Sequence, residues 1–312
     1  GVVNFITRRN TQEGNISAGI SNPRGKGADE VRVGLSKGFG DLEKNGFNAF
    51  LAFSADKRKP LNAVDREVSK SGVINFDANG QRYQAFLGSP SGIPGNVLDD
   101  DGDIVSPYFL ANGSCRAGNV ASFDPSTGKT ACFFDFVAQL EIFPERKRQN
   151  VMGSFDVRLG ANHTLFGDVL LSKNDSTGII APVPGSVSIP LTSPLYAQYL
   201  TPVSGIGGST FTQDTVAFYR VADLGRRADE NKSTFKSFVL GVKGAFGNLD
   251  YEAGLSASEN DFKNNISGYP GALALRNLRR SGLLDPFVGV GEQPQATLDA
   301  IRRALPSPTL HA

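Results

Sequence analysis

The sequence contains no Trp, a single Met, two His and two Cys in 312 residues. His163, His311, Cys115 and Cys132 are too few for a zinc cage of ordinary spacing, so neither a metal centre nor another cofactor is expected. Surplus charge is lacking too. The 32 Lys and Arg stand against 31 Asp and Glu, and a net charge of +1 has nothing to neutralise a run of phosphates, which excludes nucleic acid as an expected partner. Long apolar runs are also missing. The longest uncharged stretch, residues 176–213, carries Pro182, Pro184, Pro190, Pro194 and Pro202, whereas a membrane helix needs about 20 apolar residues in a row and is broken by proline. Residues 1–9, Gly1-Val2-Val3-Asn4-Phe5-Ile6-Thr7-Arg8-Arg9, show no initiator Met and no apolar core of a signal peptide, and read as the start of a mature fragment. With 39% hydrophobic residues and 22 Phe, the composition is not that of a disordered chain.

What the sequence does have is a period of two, repeated in separate segments of about ten residues. In residues 248–258 one face reads Leu249, Tyr251, Ala253, Leu255 and Ala257, and the other Asp250, Glu252, Gly254, Ser256 and Ser258. Successive side chains of a strand point to opposite faces, so this is a strand with one apolar face. The same alternation runs through residues 15–21, 30–39, 47–56, 150–160, 164–172 and 237–246, which makes seven strands.

The connections between them alternate as well. Residues 40–46, 161–163 and 247–248 are short links, whereas 57–149 and 172–236 far exceed an ordinary hairpin loop. Short turns on one side and long loops on the other are the asymmetry of a transmembrane β-barrel. About ten residues at ~3.3 Å each, tilted ~40°, rise ~25 Å, the height of an outer membrane's apolar band. The expected fold class is therefore all-β: an antiparallel transmembrane β-barrel segment with long extracellular loops and short periplasmic turns. A soluble sandwich, such as a secreted or surface adhesin-like binding module, also alternates, yet it does not usually place such insertions at one end only.

Gly1-Val2-Val3-Asn4-Phe5-Ile6-Thr7-Arg8 resembles the motif that closes the plug of TonB-dependent outer-membrane receptors just before the first barrel strand. Three further stretches resemble the same family: Cys132-Phe133-Phe134-Asp135-Phe136 running on through Pro144-Glu145-Arg146 to Asn150; Tyr219-Arg220-Val221-Ala222-Asp223-Leu224-Gly225-Arg226-Arg227; and Gly241-Val242-Lys243-Gly244 leading to Leu249-Asp250-Tyr251-Glu252-Ala253. The resemblance implies a 22-stranded plugged barrel in the outer membrane of a Gram-negative bacterium. Such a receptor is energised from the inner membrane and imports a scarce nutrient, such as an iron-siderophore, vitamin B12 or an oligosaccharide. On this reading residues 1–9 are the last plug strand, and residues 10–312 are the N-terminal part of the barrel, ending inside an extracellular loop. The partners implied are outer-membrane lipid, a small-molecule ligand, and the TonB complex through an N-terminal part that this sequence lacks.

Site candidates follow from that placement. Cys115 and Cys132 have 16 residues between them in a loop facing an oxidising compartment, so a disulfide is expected, contributing roughly 3 kcal/mol. In the uncharged loop, Tyr196, Tyr199 and Phe211 suit stacking on a ligand ring at the outer mouth, or packing of the loop on its neighbours. The charges Arg32, Asp156, Arg158, Asp168, Lys243, Asp250 and Glu252 lie on inner strand faces and are expected to face the lumen and pair with a plug. Asp99-Asp100-Asp101-Gly102-Asp103 offers carboxylates for Ca²⁺ but lacks the EF-hand's Gly and Glu, and reads better as a solvated acidic turn. Gly128-Lys129-Thr130 echoes a phosphate loop without its first Gly and reads as a turn. His163 reads as a solvated turn residue, and Ser54-x-x-Lys57 and Ser233-x-x-Lys236 lack companion motifs, so no enzyme is expected. Residues 216–224 are assigned to an extracellular hairpin with 233–236, and residues 295–305 to a short amphipathic helix within a loop.

Overall fold

The computed structural model describes residues 10–305, so the stretch expected to be the last plug strand lies outside the described residues. The chain divides into two units. The first comprises residues 10–61, Phe143–Gly178 and Glu230–Asn265, and the second Asn62–Ile142, Ile179–Asp229 and residues 266–305.

The first unit is a seven-stranded antiparallel meander: β1 (Gly14–Ser21), β2 (Glu30–Phe39), β3 (Phe47–Arg58), β4 (Glu145–Leu159), β5 (His163–Ile180), β6 (Arg227–Phe246) and β7 (Leu249–Ser267), hydrogen-bonded in chain order. All seven expected strands are present. Alternation fixes their register, because a one-residue slip would turn every side chain to the wrong face. Leu35 faces Phe53, Phe53 faces Val151, and Val151 faces Leu171, carrying one apolar row across four strands. Three residues along each strand, Arg32 faces Asp56 and Asp56 faces Arg148 on the other side of the sheet. Among the described residues the sheet does not close: β1 and β7 are both edges.

Two glycines let large rings lie flat on this sheet. A Cβ at Gly167 would stand 2.5 Å from Phe155 Cε1, and one at Gly241 would stand 2.4 Å from Phe166 Cζ. Each glycine thus makes the space that the neighbouring phenylalanine fills, one on the apolar face and one on the polar face.

The three long insertions, expected as loops, are a folded unit with their own core. Strands Asn96–Leu98, Ile104–Val105, Pro184–Ile189 and Thr215–Arg220 form one four-stranded sheet. Helices α1 (Pro107–Asn112), α2 (Ala272–Arg280) and α3 (Gln295–Ala304) accompany it. α1 begins on Ser106, whose hydroxyl accepts from Phe109 N–H, with Pro107 next, and stops at Gly113 in the left-handed region. Val97, Val105, Ile189, Leu200, Ala217 and Ile301 are buried together in the core. The expected helix over 295–305 is α3, and it buries Ile301 against that core. The hairpin expected between 216–224 and 233–236 is not formed. Thr215–Arg220 pairs instead with Pro184–Ile189 and with Asn96 and Val97, while 233–236 belong to β6. The free partner lay in a proline-flanked segment that carries no alternation signal long enough to read. No helix among the described residues is long and apolar enough to cross a membrane.

Candidate functional site

The seven charges expected to face a lumen do share one face of the sheet. Alternation and the paired registers put Arg32, Asp156, Arg158 and Asp168 on the side opposite Val33, Val157 and Val169. Lys243 reaches Asp156 at 3.7 Å and lies over the ring of Phe166, and Asp250 and Glu252 alternate with Leu249 and Tyr251 on β7. Sequence reasoning missed the centre of this network. Asp56 accepts from Arg146 Nη2 at 2.9 Å and from Arg148 Nε at 2.9 Å, and Arg146 also approaches Glu30 at 3.6 Å. The signal was present in the paired alternation of β3 and β4, but a register is needed to see two arginines converge on one carboxylate.

The opposite face carries Ile16, Val33, Leu35, Leu51, Phe53, Phe155, Leu171, Phe238, Leu240 and Leu255, all exposed. At one end the row is closed by Lys57, Lys147 and Lys173 on the same face. At the short-turn end stands an aromatic group. His163 opens β5, its Nδ1 lies 3.0 Å from the Tyr251 hydroxyl, and its ring packs on Phe246 and Tyr251. The histidine expected as a solvated turn residue is therefore half-buried and partnered.

In the second unit the aromatic loop packs inward. Tyr196 and Phe211 are buried in the core, and Tyr196 donates its hydroxyl proton to the Gln213 carbonyl at 3.0 Å. Of the two uses expected for this loop, packing on its neighbours describes these two residues, because a ligand would have to displace the core to touch them. Tyr199 is half-buried, packs its ring at a tilt on Phe287 and donates to Asp285 at 2.9 Å. Burial, then the Asp285 carboxylate, pushes its phenol up to about 12.

The acidic turn is solvated only in part: Asp101 is exposed, whereas Asp99 is buried. Asp99, Asp101 and Asp103 converge on Lys129 Nζ at 2.6, 2.8 and 2.9 Å, so the chain supplies its own cation. Lys129 and Asp99 are both buried. Burial alone would favour neutral lysine, but the three carboxylates outweigh it and raise its pKa. Gly128, which precedes it, turns the hairpin of Asn119–Asp124 and Lys129–Phe134, with Asp124 Oδ1 accepting from Ser126 N–H at 2.8 Å. The phosphate-loop echo is a hairpin turn.

Cys115 and Cys132 form the expected disulfide. Beside it, the Cys132 segment and the Tyr219–Arg227 segment meet. The Arg220 guanidinium lies 4.5 Å over the Phe134 ring and donates to the Pro182 carbonyl at 2.6 Å. Burial, followed by the charge of Arg227, lowers Arg220 to about 10. Compared with protein families, with curated proteins and with solved structures, the chain has no match.

Proposed function

We propose that this chain is part of a TonB-dependent outer-membrane receptor, in which the seven-stranded sheet is a segment of the transmembrane barrel and the second unit faces the cell exterior and receives cargo. The observation that carries the reading is the two-sidedness of the sheet: an exposed apolar face bounded by lysines, backed by a face of ion-paired charges. In water, an apolar patch of this extent is a liability unless something covers it, and lipid covers it without requiring a protein partner. Charges on the reverse side suit a water-filled or plugged lumen. The group at His163, Phe246 and Tyr251 suits the aromatic girdle at one membrane interface. Among the described residues β1 and β7 leave unpaired edges of 8 and 19 residues, which suit strands continued by further strands of the same barrel.

Tryptophan probes on the two faces supply a test. The variants Phe155→Trp and Ser154→Trp place one added probe on each face of β4. After reconstitution of the complete receptor into vesicles, and with the parent's own emission subtracted, brominated lipid should quench the probe at 155 and leave that at 154 largely unaffected. Equal quenching at both, or no membrane association, would reject the barrel reading and favour a soluble binding module.

A further inference from the structure

The second unit holds a cleft of about 580 Å³ between the strand Pro184–Ile189 and the last turn of α2. That volume falls in the range of small-molecule sites. Its polar lining is Arg276, Arg279 and Arg280 on one side, with Thr192 and Ser193 just past the end of the strand. Val187, Ile189 and Leu284 supply an apolar floor. Residues three and four apart share a helix face, so the three guanidiniums are set by the sequence Arg276-Asn277-Leu278-Arg279-Arg280, while Leu278 turns into the core.

A basic last turn is ordinary, because cations favour a helix C-terminus. Three features set this one apart. No carboxylate lines the cleft. No ion pair to Arg276, Arg279 or Arg280 occurs among the described residues, whereas Arg302 in the last turn of α3 is paired with Asp299. Arg279 is also built in: its Nη2 lies where a Cβ on residue 185 would be 2.7 Å away, so Gly185 makes room for the guanidinium against the strand beside the Tyr219 hydroxyl, and its Nε is buried without an acceptor. Three like charges within one turn repel each other, and a buried donor without an acceptor is costly.

We infer that this cleft binds a small polyanion bearing two or more carboxylate or phosphate groups. Arginine forks match the planar oxygens of such groups two at a time, and the apolar floor takes a carbon skeleton. That the anion is the imported cargo rests on the receptor reading above; that the cleft binds it does not.

The test is isothermal titration of the full chain with tricarballylate and with pyrophosphate at low ionic strength, alongside co-sedimentation with vesicles containing phosphatidic acid. Arg276 and Arg280 are exposed, so Arg276→Gln and Arg280→Gln should preserve the fold, which circular dichroism checks. Each is expected to weaken binding of the better soluble probe roughly tenfold, the double variant to abolish it, and Arg276→Lys/Arg280→Lys to weaken it less than the glutamine pair. Binding of neither soluble probe, sedimentation with vesicles alone, or equal binding by parent and double glutamine variant would overturn the inference. Uptake of labelled tricarballylate or pyrophosphate by cells bearing the complete receptor separates the two readings. Binding without uptake leaves the anion site standing and counts against import as its role, whereas uptake unaffected by the double variant counts against the cleft.

Discussion

Asn96 meets Cys132 as a neighbouring strand would: its Nδ2 donates to the Cys132 carbonyl at 2.8 Å, and its Oδ1 accepts from the Cys132 N–H at 2.9 Å. The same Nδ2 reaches the Pro90 carbonyl at 2.6 Å, and the residue is fully buried. One amide side chain thus closes the backbone accounts of two segments beside the disulfide. Asn96→Ala leaves a buried donor and two buried acceptors unmet, and should destabilise the second unit by about 3 kcal/mol. Chemical denaturation followed through that unit reads the change, and a shift under 0.5 kcal/mol would contradict it.

Lys129 stands where a bound cation would. In Lys129→Met, Asp99 stays buried among like charges with no counter-charge, a loss expected at about 3–5 kcal/mol. Added calcium should restore part of that stability in the variant and leave the parent unchanged, as melting curves with and without calcium would record. A variant as stable as the parent would mean that the four groups are not energetically coupled.

Gly241 and Phe166 should behave as one unit. Gly241→Ala forces a methyl into the ring and is expected to cost roughly 1–3 kcal/mol by overpacking. Phe166→Leu removes part of the obstruction. The double variant in detergent should therefore be less destabilised than the two single changes together, and strict additivity would show that the contact is not the cause.

On β7, the two faces should differ in what they tolerate. Leu255 is 82% exposed on the apolar face and Ser256 follows it on the other. In membranes Leu255→Arg should cost about 2–4 kcal/mol near mid-strand, whereas Ser256→Arg should be far milder. Equal costs in lipid would sink the assignment of faces.

Glu292 predicts an acid response. Arg116 donates to it at 2.8 Å and Gly289 N–H at 2.8 Å, which together hold its carboxyl at about 2, below the ordinary 4.5. A depressed folded-state pKa means that the contribution is present above pH 4.5 and is lost as pH falls from 4.5 towards 2. Both side chains are partly exposed, so the effect is modest and screened by salt. The protection factor of the Gly289 amide, which corrects for the intrinsic slowing of exchange in acid, should drop across that window in the parent, and Glu292→Gln should remove that drop. A parent without such a change would refute the pairing.

The sheet was legible because each of its strands carries its own evidence: Leu249 to Ala257 alternate whatever the rest of the chain does. The second unit was not, because its strands are two to six residues long and several pair with strands well separated from them in sequence. Thr215–Arg220 reads as a strand, but nothing near it names Pro184–Ile189 as its neighbour. Tyr196 and Phe211 show the same limit from another side. An aromatic residue between prolines has the same local sequence whether it meets a ligand or a core. Arg276, Arg279 and Arg280 carry no motif in the sequence, and only the fold brings the strand Pro184–Ile189 beside them in a cleft that no acid lines.

The separation of β3 and β4 has a consequence for the order of assembly. Arg58 faces Arg146 in register although residues 59–144 intervene, and β5 and β6 are neighbours across residues 181–226. Closing such spans in a loose chain raises the entropic penalty with the logarithm of their length, and distant pairings of this kind slow folding. The three insertions share one core, and the Cys115–Cys132 bond shortens the longest of them. When that core forms first, it turns long-range searches into short ones, and the neighbouring strands can zip from their tethered ends. Reduction of the disulfide should then slow strand pairing in the sheet, in which neither cysteine lies.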